Sequence, residues 1–144
     1  MHRTGLIILT ALLLMAALSG CGQSKSADAI NPPDYADAMA EQMLQSFNSG
    51  DYATYSEDFN ETMRQTTPES VFLETRTFVQ NRIGAYKSKE LSDVQVDSVD
   101  STVVYKAKFS EEKEDVKVTI VFQANADNVS VSGFWLESPK LWEH

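Results

Sequence analysis

The side chains best suited to acid–base chemistry are three phenols, Tyr55, Tyr86 and Tyr105, and three nearby carboxylates, Asp51, Glu57 and Asp58. A phenol in an apolar pocket stabilises a developing oxyanion while a carboxylate removes a proton, so one such pair would serve an isomerase or dehydratase. The same residues also have plain structural uses. Tyr52 and Tyr55 can pack their rings on a short helix, Asp51 can cap it, and Asp58 suits a solvated face. The spacing favours the structural use, and no residue is assigned a catalytic role. Other machineries lack their parts. His2 and His144 stand at the two ends with no His between them, and Cys21 is the one Cys. Ser-His-Asp, Cys-His and His-ligated zinc sites are therefore excluded, as is an intramolecular disulfide. There is no Gly-rich phosphate loop and no Gly-x-Ser-x-Gly elbow. Asp93, Asp97 and Asp100, like Glu111 to Asp115, lack the spacing of a calcium loop, so no metal and no cofactor is expected. With 12 Lys+Arg against 21 Asp+Glu, a net charge of −9 leaves no basic surface for nucleic acid.

Cys21 is the exception, because of what precedes it. His2 and Arg3 form a short basic region, and Leu6 to Leu18 is apolar except for Thr10. That run of about thirteen residues is too short for a bilayer core, which needs about twenty. The order Leu18-Ser19-Gly20-Cys21 then resembles the lipobox of prokaryotic lipoproteins, which implies cleavage between Gly20 and Cys21 and acylation of Cys21. Residues 1–20 are thus expected to be a signal peptide, and the mature protein to be lipid-anchored on the extracytoplasmic face of the cell membrane. Losing the leader removes one Arg and no acid, so the mature chain is one unit more negative than −9. Residues 21–33 read as a flexible tether of roughly 20 Å reach. That exceeds a Debye length of about 8 Å and screens the acidic domain from an anionic bilayer.

Residues 34–144 form the expected folded domain. Asp34 stands as an N-cap before a stripe of Tyr35, Ala36, Met39, Ala40, Met43, Leu44 and Phe47, and Gly50 ends the helix. A second, short helix is expected over Tyr52 to Phe59. A third opens on Thr67-Pro68-Glu69, buries Val71, Phe72, Phe78, Val79 and Ile83, and stops at Gly84. Beyond Tyr86 the period falls to two. Leu91 to Val99, Thr102 to Phe109, Val116 to Gln123 and Val129 to Leu136 read as strands joined by polar turns. Helices first and an antiparallel meander afterwards give an α+β fold, with N-terminal helices packed on a curved antiparallel sheet of about four strands. Asn60-Glu61-Thr62 and Asn128-Val129-Ser130 match the N-glycosylation pattern, which matters only in a host that glycosylates exported proteins.

A helix ending in Asn48-Ser49-Gly50-Asp51-Tyr52, then Phe59-Asn60-Glu61-Thr62-Met63, a Thr67-Pro68 helix and Gly84-Ala85-Tyr86 leading into strands resembles domain of unknown function 3887. Its neighbours are the cystatin-like α+β rolls of the nuclear transport factor 2 type. The resemblance implies a bent sheet wrapped on a long helix, often around a conical pocket, and it implies no particular reaction. Some rolls of this type resemble ketosteroid isomerase, which is the enzymatic alternative. Phe47, Tyr55, Phe72, Tyr86, Tyr105, Phe122 and Trp135 are the expected lining of such a pocket, which would take a small apolar ligand. Val104, Val121, Phe134 and Leu136 fall on the opposite strand face, and a sheet with two apolar sides suggests a homodimer. Trp142 is expected at a surface or edge.

Overall fold

The computed structural model describes residues 31–143; the leader, Cys21, most of the tether and His144 lie outside the described residues. The order of elements is α1 (Ala36–Ser49), α2 (Tyr52–Tyr55), α3 (Glu61–Thr66), α4 (Glu69–Ile83), β1 (Tyr86–Val96), β2 (Asp100–Phe109), β3 (Val116–Ala124), β4 (Val129–Glu137) and α5 (Pro139–Trp142). The architecture is α+β, with helices preceding one open antiparallel sheet ordered β1-β2-β3-β4.

Helix α1 buries Ala36, Ala40, Met43, Leu44 and Phe47 along one stripe and stops at Gly50, whose φ of 79° is left-handed. Its start departs from expectation. Asp34 is not the cap; Tyr35 occupies that position without a side-chain bond, and the Ala36 amide donates to the Pro33 carbonyl. The short second helix ends at Tyr55 instead of Phe59, and an unexpected helix, α3, follows it. The Asn60 side chain caps α3 by accepting from the Met63 amide at 2.9 Å. Phe59 is thereby freed to form a parallel bridge with Val131, guarding one end of edge strand β4.

Helix α4 is capped at Pro68, one residue later than Thr67, and its buried stripe is narrower than the sequence suggests. Phe72, Val79 and Ile83 are buried, but Val71 (40% exposed) and Phe78 (44%) are not. The reason is how α4 docks. Arg76 Nε and Nη2 donate to the Phe47 and Asn48 carbonyls at 2.8 and 2.6 Å, so α4 meets the end of α1 along one line. Asn48 also clamps the start of the sheet, donating to the Tyr86 carbonyl and accepting from the Tyr86 amide, both at 2.8 Å. The Asn48-Ser49-Gly50 corner therefore joins α1, α4 and β1.

On the sheet, Val103, Tyr105, Ala107 and Phe109 of β2 and Val116, Val118, Ile120 and Phe122 of β3 face the helices, as the alternation requires. Strand β4 does not keep one alternation. Phe122 pairs with Val131 but Val121 pairs with Gly133, so Ser132 is an extra, bulged residue. Beyond it every side chain changes face. Phe134 and Leu136 pair with inward Ile120 and Val118, while Trp135 pairs with outward Thr119. The expected grouping of Val129, Val131, Gly133 and Trp135 on one side is thus corrected. So is the placement of Phe134 and Leu136 outside with Val104 and Val121.

Aromatic side chains pack between the helices and the sheet. Tyr55 stacks 4.6 Å from Phe72, 5.1 Å from Phe59 and 5.9 Å from both Phe47 and Phe134, centroid to centroid. Such pairs contribute about 0.5–1.5 kcal/mol each beyond the area they bury.

Candidate functional site

The bulge at Ser132 builds the most exposed aromatic feature of the sheet. Trp135 is 53% exposed, and its six-membered ring lies over Gly133, where a Cβ would sit only 2.3 Å from the ring carbon Cη2. Gly133 is therefore the residue that lets the indole fold down on the strand. The second tryptophan arrives from α5. Leu141 anchors this turn in the core, and Arg82 Nη1 donates to the Lys140 and Glu143 carbonyls at 3.3 and 2.8 Å. Ser138 donates to Glu112 Oε2 at 2.9 Å, and Lys140 donates to the Glu111 carbonyl. So fastened, the turn holds Trp142 68% exposed beside Trp135.

Three surface recesses share Trp135. One of about 380 Å³ runs beneath α3 past Met63, Val71 and Ser132. A second of about 240 Å³ lies between α4, α5 and β4, lined by Phe78, Phe134, Leu136 and Trp142. A third of about 400 Å³ opens on the outer sheet face against Lys117, Thr119 and Glu137. Val71, Phe78, Trp135 and Trp142, four of the large exposed apolar side chains, thus converge on the free edge of β4. Clustered exposed aromatics of this kind mark interaction surfaces.

A second constellation sits between α1 and β1. Lys89 points inward with only 6% of its side chain exposed, 2.6 Å from Asp37 Oδ1 and 3.2 Å from Glu41 Oε2. Its ammonium lies 5.0 Å from the centre of the Tyr105 ring. Tyr86 donates its phenol to Glu41 Oε2 at 2.7 Å. Partial burial works against the Glu41 carboxylate, but hydrogen bonds from Gln45, Tyr86 and Lys89 and the Lys89 charge outweigh it and hold the pKa below its ordinary 4.5. Burial first, and then the bond to Glu41, pushes the Tyr86 phenol above its ordinary 10.0. Burial likewise raises Tyr105 and Tyr55.

The carboxylates named from the sequence do not meet these phenols. Asp51 accepts from the Thr54 amide and hydroxyl, capping α2. Glu57 accepts from Gln42 Nε2. Asp58 is half-buried, its pKa raised by burial and by the Glu57 charge. The tyrosine that does find a carboxylate, Tyr86, finds Glu41, 45 residues away and on a different element. Nothing in the local sequence spacing could have indicated that pair.

Of the seven residues expected to line a pocket, Phe47, Phe72, Tyr86, Tyr105 and Phe122 are closed into the core. Tyr55 reaches the recess beneath α3, and Trp135 borders all three recesses, from the outer face.

Helices followed by a four-stranded antiparallel meander, with exposed apolar side chains gathered at one sheet edge, define a small α+β domain. The chain belongs to the family described as Protein of unknown function (DUF3887), whose model matches residues 40–134. The match takes in the Asn48-Ser49-Gly50 corner, α4 and the sheet through Phe134, and Trp135 and Trp142 lie beyond it. No curated protein matches the chain.

Proposed function

We propose that this protein is an exported lipoprotein, anchored through acylated Cys21, whose α+β domain is a cystatin-like roll that binds small ligands without catalysis. The anchoring reading is supported by the leader pattern. Among the described residues, no helix is long and apolar enough to cross a membrane. The observation that carries the binding reading is the position of Trp135, turned outward by a bulge and bordering three recesses. The Tyr86–Glu41 pair is poorly suited to catalysis because the Tyr86 hydroxyl already donates to Glu41 Oε2, and that carboxylate is paired with Lys89. A base needs a free lone pair and an oxyanion donor needs a free proton.

Two measurements test this reading. Cys21→Ser should release the protein from the membrane fraction; unchanged membrane association would refute lipid anchoring. For binding, the full lipidated chain in phosphatidylcholine vesicles is titrated with a panel of apolar and polyhydroxylated solutes. Saturable change in tryptophan emission is expected from at least one of them and should be lost in Trp135→Ala; a silent panel would refute the binding role.

A further inference from the structure

We infer that the outer face of the sheet binds an uncharged polysaccharide strand, laid across the β-strands from Trp135 toward β1. This names the ligand class for the binding surface proposed above and rests on that reading. The recess beside Trp135 continues into a trough of about 520 Å³, the two sharing Lys117 and Thr119 as floor and wall. The trough crosses Thr102 and Val104 and ends at Ser92, Asp93 and Gln95. A bulge at Ser92 gives β1 one extra residue there. Bulges bend their strands, and this one lies at the far end of the trough. From β4 to β1 is three strand spacings, roughly 14 Å, enough for a short run of sugar rings.

The lining selects the chemistry. Lys106 and Lys117 are balanced by Asp93 and Asp115, so the trough carries no net charge although the chain as a whole is acidic. An anionic ligand gains nothing from such a wall. An apolar one would strand the hydroxyls and amide of Thr102, Thr119 and Gln95 against hydrocarbon. A chain of sugar hydroxyls meets both donors and acceptors, and the C–H face of a sugar ring packs on an indole. Two further observations point to an occupant. The Thr119 hydroxyl is buried without a hydrogen-bond partner, directly across from Trp135 and between the two recesses. The chain also has only two tryptophans, and both border this surface.

Both tryptophans border this surface, so intrinsic emission responds to a ligand bound there, and Thr119→Val, on the outer face alone, separates it from the recesses beneath α3 and beside α4. The full lipidated chain in phosphatidylcholine vesicles is titrated with chitotetraose and cellotetraose, with a hyaluronan tetramer as the charged control and brominated octanoate as the apolar control. A neutral tetramer is expected to shift or quench the emission with a Kd on the order of 1 mM or tighter. The hyaluronan tetramer should bind more weakly. Trp135→Ala should weaken neutral-sugar binding about tenfold or more. Thr119→Val, nearly isosteric and fold-preserving, should weaken it a few-fold. If octanoate alone acts, the saccharide inference falls while the binding role stands; if no solute acts, both fall. If the charged tetramer binds as well as or better than the neutral ones, the inference also falls. Silence to the sugars together with dimerisation that Trp135→Ala abolishes would make the face an interface between copies, again overturning it.

Discussion

The junction of α1, α4 and the sheet depends on one guanidinium, which makes Arg76→Ala an informative perturbation. Helix α1 has no basic residue in its last turn, yet its C-terminal carbonyls carry the negative end of the helix dipole. Arg76 supplies the missing cation from another helix, with two bonds of 2.8 and 2.6 Å to successive carbonyls. Hydrogen bonds with a charged partner contribute about 1.5–3 kcal/mol each when desolvated. This pair is only part-buried, so about 3 kcal/mol for both, dipole included, is a sensible net figure. For a domain of this size that corresponds to a fall in Tm of about 15 °C. Thermal unfolding followed by far-ultraviolet circular dichroism measures it. Arg76→Lys, which keeps the charge but not the fork, should fall between wild type and alanine. A Tm change in Arg76→Ala of less than about 3 °C would mean that α4 is held by its apolar stripe alone, and the argument would be wrong.

Three further expectations concern other parts of the fold. Lys89→Ala should destabilise by about 1–2 kcal/mol, since it leaves Asp37 and Glu41 without their cation, though both are substantially exposed; Lys89→Met, which keeps the apolar stem on Tyr105, should cost less, as urea denaturation would show. Gly84→Ala should cost more than Gly50→Ala. At Gly84, φ 78° and ψ −154° are nearly glycine-only and a Cβ would meet Ser110 Oγ at 2.1 Å, whereas at Gly50 the nearest atom is Arg76 Cζ at 3.3 Å. Stability should also respond to pH at both ends. Tyr55, Tyr86 and Tyr105 hold their protons more tightly folded than unfolded, so their contribution is intact below 10.0 and lost as pH rises through the folded values; tyrosinate absorbance should appear together with loss of circular dichroism. Glu41 has the opposite sign. Its contribution is present above 4.5 and disappears as pH falls through its lowered folded value, so Glu41→Gln should flatten the acid limb.

Much of the architecture was legible because it rests on local rules. The α1 stripe, the Gly50 and Gly84 stops and the alternation of β2 and β3 follow from helical and strand periods and from glycine's access to positive φ. The Asn60 cap is also a local signal, ahead of Glu61 and within reach of Met63, although it lies directly after the helix expected over Tyr52 to Phe59. The facing of β4 is not legible in its own sequence, for a physical reason. Val129 to Leu136 alternates cleanly on paper, and a bulge is set by pairing with β3, not by the strand's own residues. One inserted residue reversed the facing of Phe134, Trp135 and Leu136, and with them the side of the sheet on which the candidate site lies.

The sequence by itself determined the order of helices and strands, the acidic character, the absence of His- and Cys-based catalytic sets from the chain between its ends, and membership in a recognisable family. Each of these depends on residue identity or short-range spacing. Tertiary structure decided which aromatics close the core and which face solvent, brought Tyr86 to Glu41 and Arg76 to the end of α1, and turned Trp135 outward. Those outcomes depend on contacts between residues distant in the chain, whose energies exist only once the helices have docked on the sheet.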